Sequence, residues 1–214
     1  MLCNLGNAYR PLGRLEEATE CYVQALALFR EVGYSHGEAK VLGNLASTYH
    51  ETGRLTDAVA ANEAAIASFS NLGDHHGEAL SLANLGRVYL SSSRYAEAAG
   101  CQQRAAELFA HVGDRHGKAR ATGNLGVIEC RLGHFGLALR LLTEAKGDFA
   151  ALGDRHEEAR TFVELAELSS AQGETAEARR YLERALAIFR EIGDQHSQRE
   201  VTALLQAEGT TATD

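Results

Sequence analysis

Two stretches decide the fold: SFSNLGDHHGEALSLANLGRVY at 68–89 and LFAHVGDRHGKARATGNLGVIE at 108–129. Laid over each other they share Phe, Gly-Asp, His-Gly, Ala and Asn-Leu-Gly in the same columns, 40 residues apart. The same spacing extends outward without a gap, giving units 2–41, 42–81, 82–121, 122–161 and 162–201. One column reads Phe29, Phe69, Phe109, Phe149, Phe189, and a second reads Gly33, Gly73, Gly113, Gly153, Gly193. His36, His76, His116, His156 and His196 form a third, and alanine fills Ala18, Ala58, Ala98, Ala138 and Ala178. Self-similarity at a fixed period of this length is the mark of a repeat architecture, in which each unit buries its apolar face against the next.

Each unit holds two helices. Ala39, Leu42, Leu45, Ala46 and Tyr49 recur at three- and four-residue steps and so share one helical face; Leu55, Ala58, Ala65, Phe69 and Leu72 do the same further on. Gly53 and Gly73 suit left-handed helix ends, and Asp74, repeated as Asp114, Asp154 and Asp194, is a good N-cap for the helix after it. In the first unit Tyr34 stands in place of that aspartate, so Ser35 is expected to cap there. Turns this short make neighbouring helices antiparallel. Gly6, Gly86 and Gly126 fall in mid-helix, where glycine costs about 1 kcal/mol against alanine. Such a glycine is tolerable where a partner helix must come close.

Composition narrows the function. The chain has 214 residues and a formal net charge of −8, and that acidic balance does not suit general nucleic-acid binding. Cys3, Cys21, Cys101 and Cys130 form no C-x-x-C pair, which speaks against a zinc or redox site and for small packed residues of a reducing compartment. No basic-then-apolar leader and no long apolar run occur, and a cytoplasmic location is expected.

The pattern Leu-x-x-Leu-Gly-x-x-Tyr, then Gly, Ala and Ala, read in the second unit as Leu42, Leu45, Ala46, Tyr49, Gly53, Ala58 and Ala65, resembles the tetratricopeptide repeat (TPR). The unit is 40 residues rather than the usual 34. The usual proline at the end of the second helix is replaced by Arg30, Ser70, Ala110, Ala150 and Arg190, so that helix should run on to the glycine. The N-L-G and G-D-x-x-G-E-A signatures make this long variant similar to the repeats of Pins/LGN-type adaptors. They are also similar to the C-terminal repeats of actinobacterial regulators and NB-ARC-type signalling ATPases. The resemblance implies an all-α, right-handed α-solenoid of five hairpins over 1–201. Residues 202–214 then supply the rest of a polar C-terminal capping helix and a disordered tail from Gly209. Met1 enters the pattern in mid-helix, so a fragment or the tail of a longer chain is expected.

A stack of hairpins offers a concave groove lined by the first helix of each unit. With the apolar face used by the core, the face through Lys40, Asn44, Ser47 and Glu51 is left over, with counterparts Leu80, Asn84, Arg87, Ser91, then Arg120, Asn124, Val127, Arg131, then Arg160, Glu164, Glu167, Ala171. The column Asn4, Asn44, Asn84, Asn124 carries side chains that both donate and accept, and asparagine is not chosen for helix propensity. In related TPR proteins an asparagine ladder here clasps peptide backbone; these amides could equally bond neighbouring helices. The column breaks at Glu164. Lys40, Arg87, Arg120, Arg131 and Arg160 would favour a peptide with Asp or Glu side chains, or else merely solvate the surface. The candidate peptide-binding set is therefore Asn4, Lys40, Asn44, Ser47, Asn84, Arg87, Arg120, Asn124, Arg131 and Arg160.

The histidine column is not read as a metal site, because like positions of successive units lie too far apart to share an ion. No nucleophile elbow, phosphate loop or H-E-x-x-H occurs, and Cys130, His50 and His134 form no evident catalytic set. The sequence thus reads as a non-catalytic protein-binding scaffold, without cofactor or metal, serving as an adaptor or regulatory module in signalling or transcription control. The alternative is a self-assembly module associating through the incomplete first repeat, which a concentration-dependent mass would reveal.

Overall fold

A computed structural model describes residues 1–211, with side chains through 207. Among the described residues the chain is helical throughout: α1 (Leu2–Tyr9), a 3-10 turn (Arg10–Leu12), α2 (Leu15–Glu31), α3 (Ser35–Glu51), α4 (Leu55–Leu72), α5 (His75–Ser91), α6 (Tyr95–His111), α7 (Arg115–Arg131), α8 (Phe135–Leu152), α9 (Arg155–Ala171), α10 (Thr175–Glu191) and α11 (Gln195–Thr211). It is an all-α helical-repeat architecture. The helices group into two compact units, Met1–Asp114 with α1 to α6, and Arg115–Asp214 with α7 to α11.

The turns follow from the residues at the helix ends. Gly53 and Gly73 take φ of 74° and 68°, a left-handed conformation that costs glycine no Cβ clash. Ser93 holds the equivalent place with φ 58°, the single positive-φ residue other than glycine among those described. Asp74 Oδ1 accepts from the Gly77 N–H at 2.8 Å, Asp154 from Glu157 at 3.0 Å, and Asp194 from Ser197 at 3.1 Å, each closing an orphan donor of the first turn. At the first junction Tyr34 is the N-cap and makes no side-chain cap bond, while Ser35 is already inside α3. The expected Ser35 cap is therefore absent: the helix begins one residue too early for it, and the Tyr34 ring packs edge-on against Phe29 instead, centroids 5.3 Å apart.

The core is built from the repeated columns. In the first unit Ala18, Tyr22, Ala25, Val41 and Leu45 cluster, and Ala39, Leu42, Ala65 and Phe69 form a second group bridged to them by Leu26. In the second unit Ala138, Leu142, Leu165 and Leu168 cluster, as do Ala159, Ala166, Leu182, Ala185, Phe189 and Val201. The mid-helix glycines meet large side chains of the partner helix. A Cβ on Gly6 would lie 2.6 Å from the Tyr22 ring, on Gly86 2.7 Å from the Gln102 amide, and on Gly126 2.8 Å from Leu142 Cγ. Gln102 uses the room to donate across the helix pair to the Ala83 carbonyl at 3.0 Å.

The histidine column has a structural role. His76, His116 and His156 reach Asp114, Asp154 and Asp194, the aspartates before the next first helix, at 3.2, 2.9 and 3.3 Å; His36 stands 3.7 Å from Asp74. The four rings lie edge-on to Phe109, Phe149, Phe189 and Phe69. Burial pushes the Asp154 carboxyl up, but the Glu157 N–H and the His116 ring together hold it below its ordinary value. At the C-terminal end Val201 is buried against the last hairpin, while Thr202, Ala203 and Gln206 face water, as a terminal helix should. That helix extends to Thr211, and the tail expected from Gly209 lies in part outside the described residues, at 212–214.

Candidate functional site

The first helices of each unit turn one polar face away from the core. In the first unit that face is a connected polar strip. The Asn44 amide donates to Asn7 Oδ1 at 3.2 Å, and the buried Tyr22 hydroxyl donates to the same oxygen at 2.6 Å. Arg10 pairs with Glu51 at 2.8 Å, and His50 Nε2 meets Ser91 Oγ at 2.8 Å. Ser47, Asn84 and Arg87 line a small pocket with Arg10, His50, Glu51 and Asn62. Burial, then the charge of Arg87, pulls the His50 ring below its ordinary value, so it is neutral near pH 7. The buried Arg10 Nε and Asn62 Oδ1 have no hydrogen-bond partner among the described residues.

The candidate residues divide. Ser47, Asn84 and Arg87 come together; Asn44 is partly spent on Asn7, so at that position the amide does bond a neighbouring helix, and Ser47 donates back to the Gly43 carbonyl at 3.1 Å. Asn4 and Lys40 are exposed and line none of the described pockets. In the second unit Arg120 is exposed, Asn124 is half-buried on α7, Arg131 lies 3.6 Å from Glu167, and Arg160 pairs with Glu157 at 3.3 Å.

That unit carries a larger feature which a column count does not reveal. A cavity of about 610 Å³ opens among α7, α9 and α11, walled by Val127, Val163, Val201 and Leu204 and edged by Arg160, Glu164, Glu167 and Glu200. Glu164, where the asparagine column breaks, leans over α7: its Oε2 lies 3.9 Å from where a Cβ on Gly123 would be. Burial pushes the Glu164 carboxyl up to about 7, against the opposing pull of Arg160. The sequence count of groove cations missed that Arg160 and Arg131 are both engaged by glutamates of α9, so this part of the face is acidic on balance.

Two other features lie off the first-helix face. Arg14, Arg54 and Arg94 stack over Tyr9, Tyr49 and Tyr89 at 4.3, 4.2 and 4.2 Å, locking the turn inside each hairpin of the first unit. Between α4 and α6 a cavity of about 580 Å³ is lined by Ile66, Leu82, Leu85, Tyr89 and Cys101 and crossed by the Arg104–Glu78 pair at 3.1 Å. Burial raises the thiols of Cys3, Cys101 and Cys130, which makes them poor nucleophiles. Among the described residues no group of three or more His, Cys, Asp or Glu could hold a metal ion, and no helix is long and apolar enough to cross a membrane.

A stack of antiparallel hairpins with a polar first-helix face defines a helical-repeat scaffold of the kind that serves protein–protein interaction. The chain belongs to the tetratricopeptide-repeat family: its repeat models match residues 1–71, 79–147 and 159–192. Solved structures resemble it at the level of fold. BtubC (BKLC) from P. vanneervenii is 21% identical with a TM-score of 0.79, covering 91% of this chain and 81% of that one. A Rap protein complexed with Competence and Sporulation Factor is 16% identical with a TM-score of 0.71, covering 98% of this chain and 63% of that one. The tetratricopeptide-repeat sensor protein of the STAND class of signal-transduction ATPases from Pyrococcus horikoshii is 17% identical with a TM-score of 0.83, covering 97% of this chain and 32% of that one. No curated protein sequence matches the chain.

Proposed function

We propose that this protein binds an extended peptide segment of a partner on its first-helix face, as a non-catalytic adaptor or regulatory module. The observation that carries the reading is the pair of half-buried asparagines, Asn84 and Asn124. Asn84 and Asn124 present amides that make no hydrogen bond among the described residues, on a face the core does not use. An amide so placed can donate to and accept from an extended backbone without sequence preference. Lys40, Arg87 and Arg120 supply positive charge beside Asn44, Asn84 and Asn124, which favours Asp or Glu side chains in the ligand. The Rap protein complexed with Competence and Sporulation Factor is a neighbour of this fold that holds a ligand, and it supports the reading by analogy of fold alone.

The test is selection from a random peptide display library on the purified chain, with an Asn84→Ala, Asn124→Ala double variant of equal helicity as counter-selection. The expected result is a family of extended peptides carrying Asp or Glu that binds the double variant about 5- to 140-fold more weakly, from roughly 0.5–1.5 kcal/mol for each of two lost hydrogen bonds. No enrichment, or binding indifferent to both changes, overturns the reading.

A further inference from the structure

We infer that the cavity among α7, α9 and α11 is a subsite for a cationic side chain, an arginine or lysine of the bound segment, with Glu164 as its counter-ion. The inference rests on the reading of the first-helix face as a peptide site and adds a chemical requirement to it. The walls and the charge both point this way. Val127, Val163, Val201 and Leu204 form an apolar sleeve that suits the methylene stem of a long cationic side chain. Glu164, Glu167 and Glu200 edge that sleeve, with Arg160 beside them.

Among the described residues no side chain donates a hydrogen bond to Glu164. Arg160, one helical turn before it, spends its guanidinium on Glu157 at 3.3 Å, and Arg131 on α7 faces Glu167 at 3.6 Å. Gly123, the residue of α7 beneath the carboxylate, offers no side chain at all. A half-buried carboxylate that lacks donors loses part of its hydration without compensation, which costs free energy until a donor arrives. A ligand cation would supply both the missing donors and the opposite charge. The desolvation already suffered by Glu164 would then become binding energy, and the carboxyl, pushed up by burial when alone, would ionise on binding. An aspartate or glutamate in the same place would face Glu164, Glu167 and Glu200 against Arg160 alone, so the cavity disfavours an acidic side chain.

N-acetyl-arginine amide and its neutral isostere N-acetyl-citrulline amide are the probes, titrated into the protein with labelled Val and Leu methyl groups. Saturable shifts at Val127, Val163, Val201 and Leu204 are expected with the arginine compound, and at least about tenfold weaker binding of the citrulline one. Glu164→Gln should remove that preference, and Glu183→Gln, on α10 outside the cavity, should leave it intact. Equal binding of the two compounds, or a preference that survives Glu164→Gln at unchanged helicity, overturns the inference. Peptide selection separates it from the wider reading. Ligands without a basic residue that bind Glu164→Gln as well as the parent leave the peptide site standing and remove the cation subsite. An arginine preference with no peptide enriched upholds the subsite and removes the peptide reading.

Discussion

Exchanging Gly126 for alanine tests whether the mid-helix glycines exist for helix contact. A Cβ there would sit 2.8 Å from Leu142 Cγ, 3.0 Å from its Cδ2 and 3.2 Å from its backbone nitrogen. Leu142 is fully buried, so its side chain has to repack among its neighbours, and the contact with the α8 backbone stays even then. Overpacking of this kind costs about 1–3 kcal/mol. Against it stands the roughly 1 kcal/mol by which alanine is the better helix residue. The net expectation is a loss of about 0–2 kcal/mol. Gly147 is the control, because it lies in the interior of α8 with nothing within 4 Å of its Cβ position. Gly147→Ala should therefore gain up to about 1 kcal/mol from propensity alone. Ala166 opposite Leu182 shows that a methyl can be built into this column when the hairpin is packed around it, so the lower half of the range is favoured for Gly126. Thermal melts followed by circular dichroism, with urea unfolding to check that the transition keeps its slope, read the difference. At about 2–4 °C per kcal/mol the two variants should move in opposite directions. Equal stability of Gly126→Ala and Gly147→Ala would refute close approach as the reason for the glycine column.

Two further outcomes follow from the same geometry. Ser93→Gly should raise the melting temperature, because the left-handed backbone costs a residue with a Cβ about 1–2 kcal/mol and glycine almost nothing; Gly53→Ser, the reverse change in the neighbouring hairpin, should lower it. Glu164 holds its proton in the folded chain up to about pH 7 while the unfolded chain releases it near the ordinary value of 4.5. The folded state therefore binds more protons across that window, and its stability falls as pH rises from about 4.5 to about 7. Urea midpoints of parent and Glu164→Gln at pH 5 and pH 7.5 should show a smaller fall in the variant; parallel falls would mean that Glu164 is solvated.

The family and the helix pairs were legible in the sequence because both are set by local physics repeated at a fixed interval. Apolar residues at helical spacing mark the faces, glycine and aspartate mark the ends, and the 40-residue period makes the same assignment five times over. The one cap misassigned, Ser35, fell where the repeat departs from its own pattern, at Tyr34. The candidate face was legible as whatever the core columns leave over. Its content was not. Whether Asn44 is free depends on Asn7 of another helix, and whether Arg160 is free depends on the rotamer that joins it to Glu157. Glu164 read as a break in a column, and only the cavity that α7, α9 and α11 line together shows it as a half-buried carboxyl at the rim of an apolar sleeve. Sequence by itself determined the period, the helices and the face, since these follow from spacing along one chain. Tertiary structure decided which charges on that face are neutralised and which are withdrawn from water, since desolvation and pairing are properties of the neighbours a residue meets across the fold.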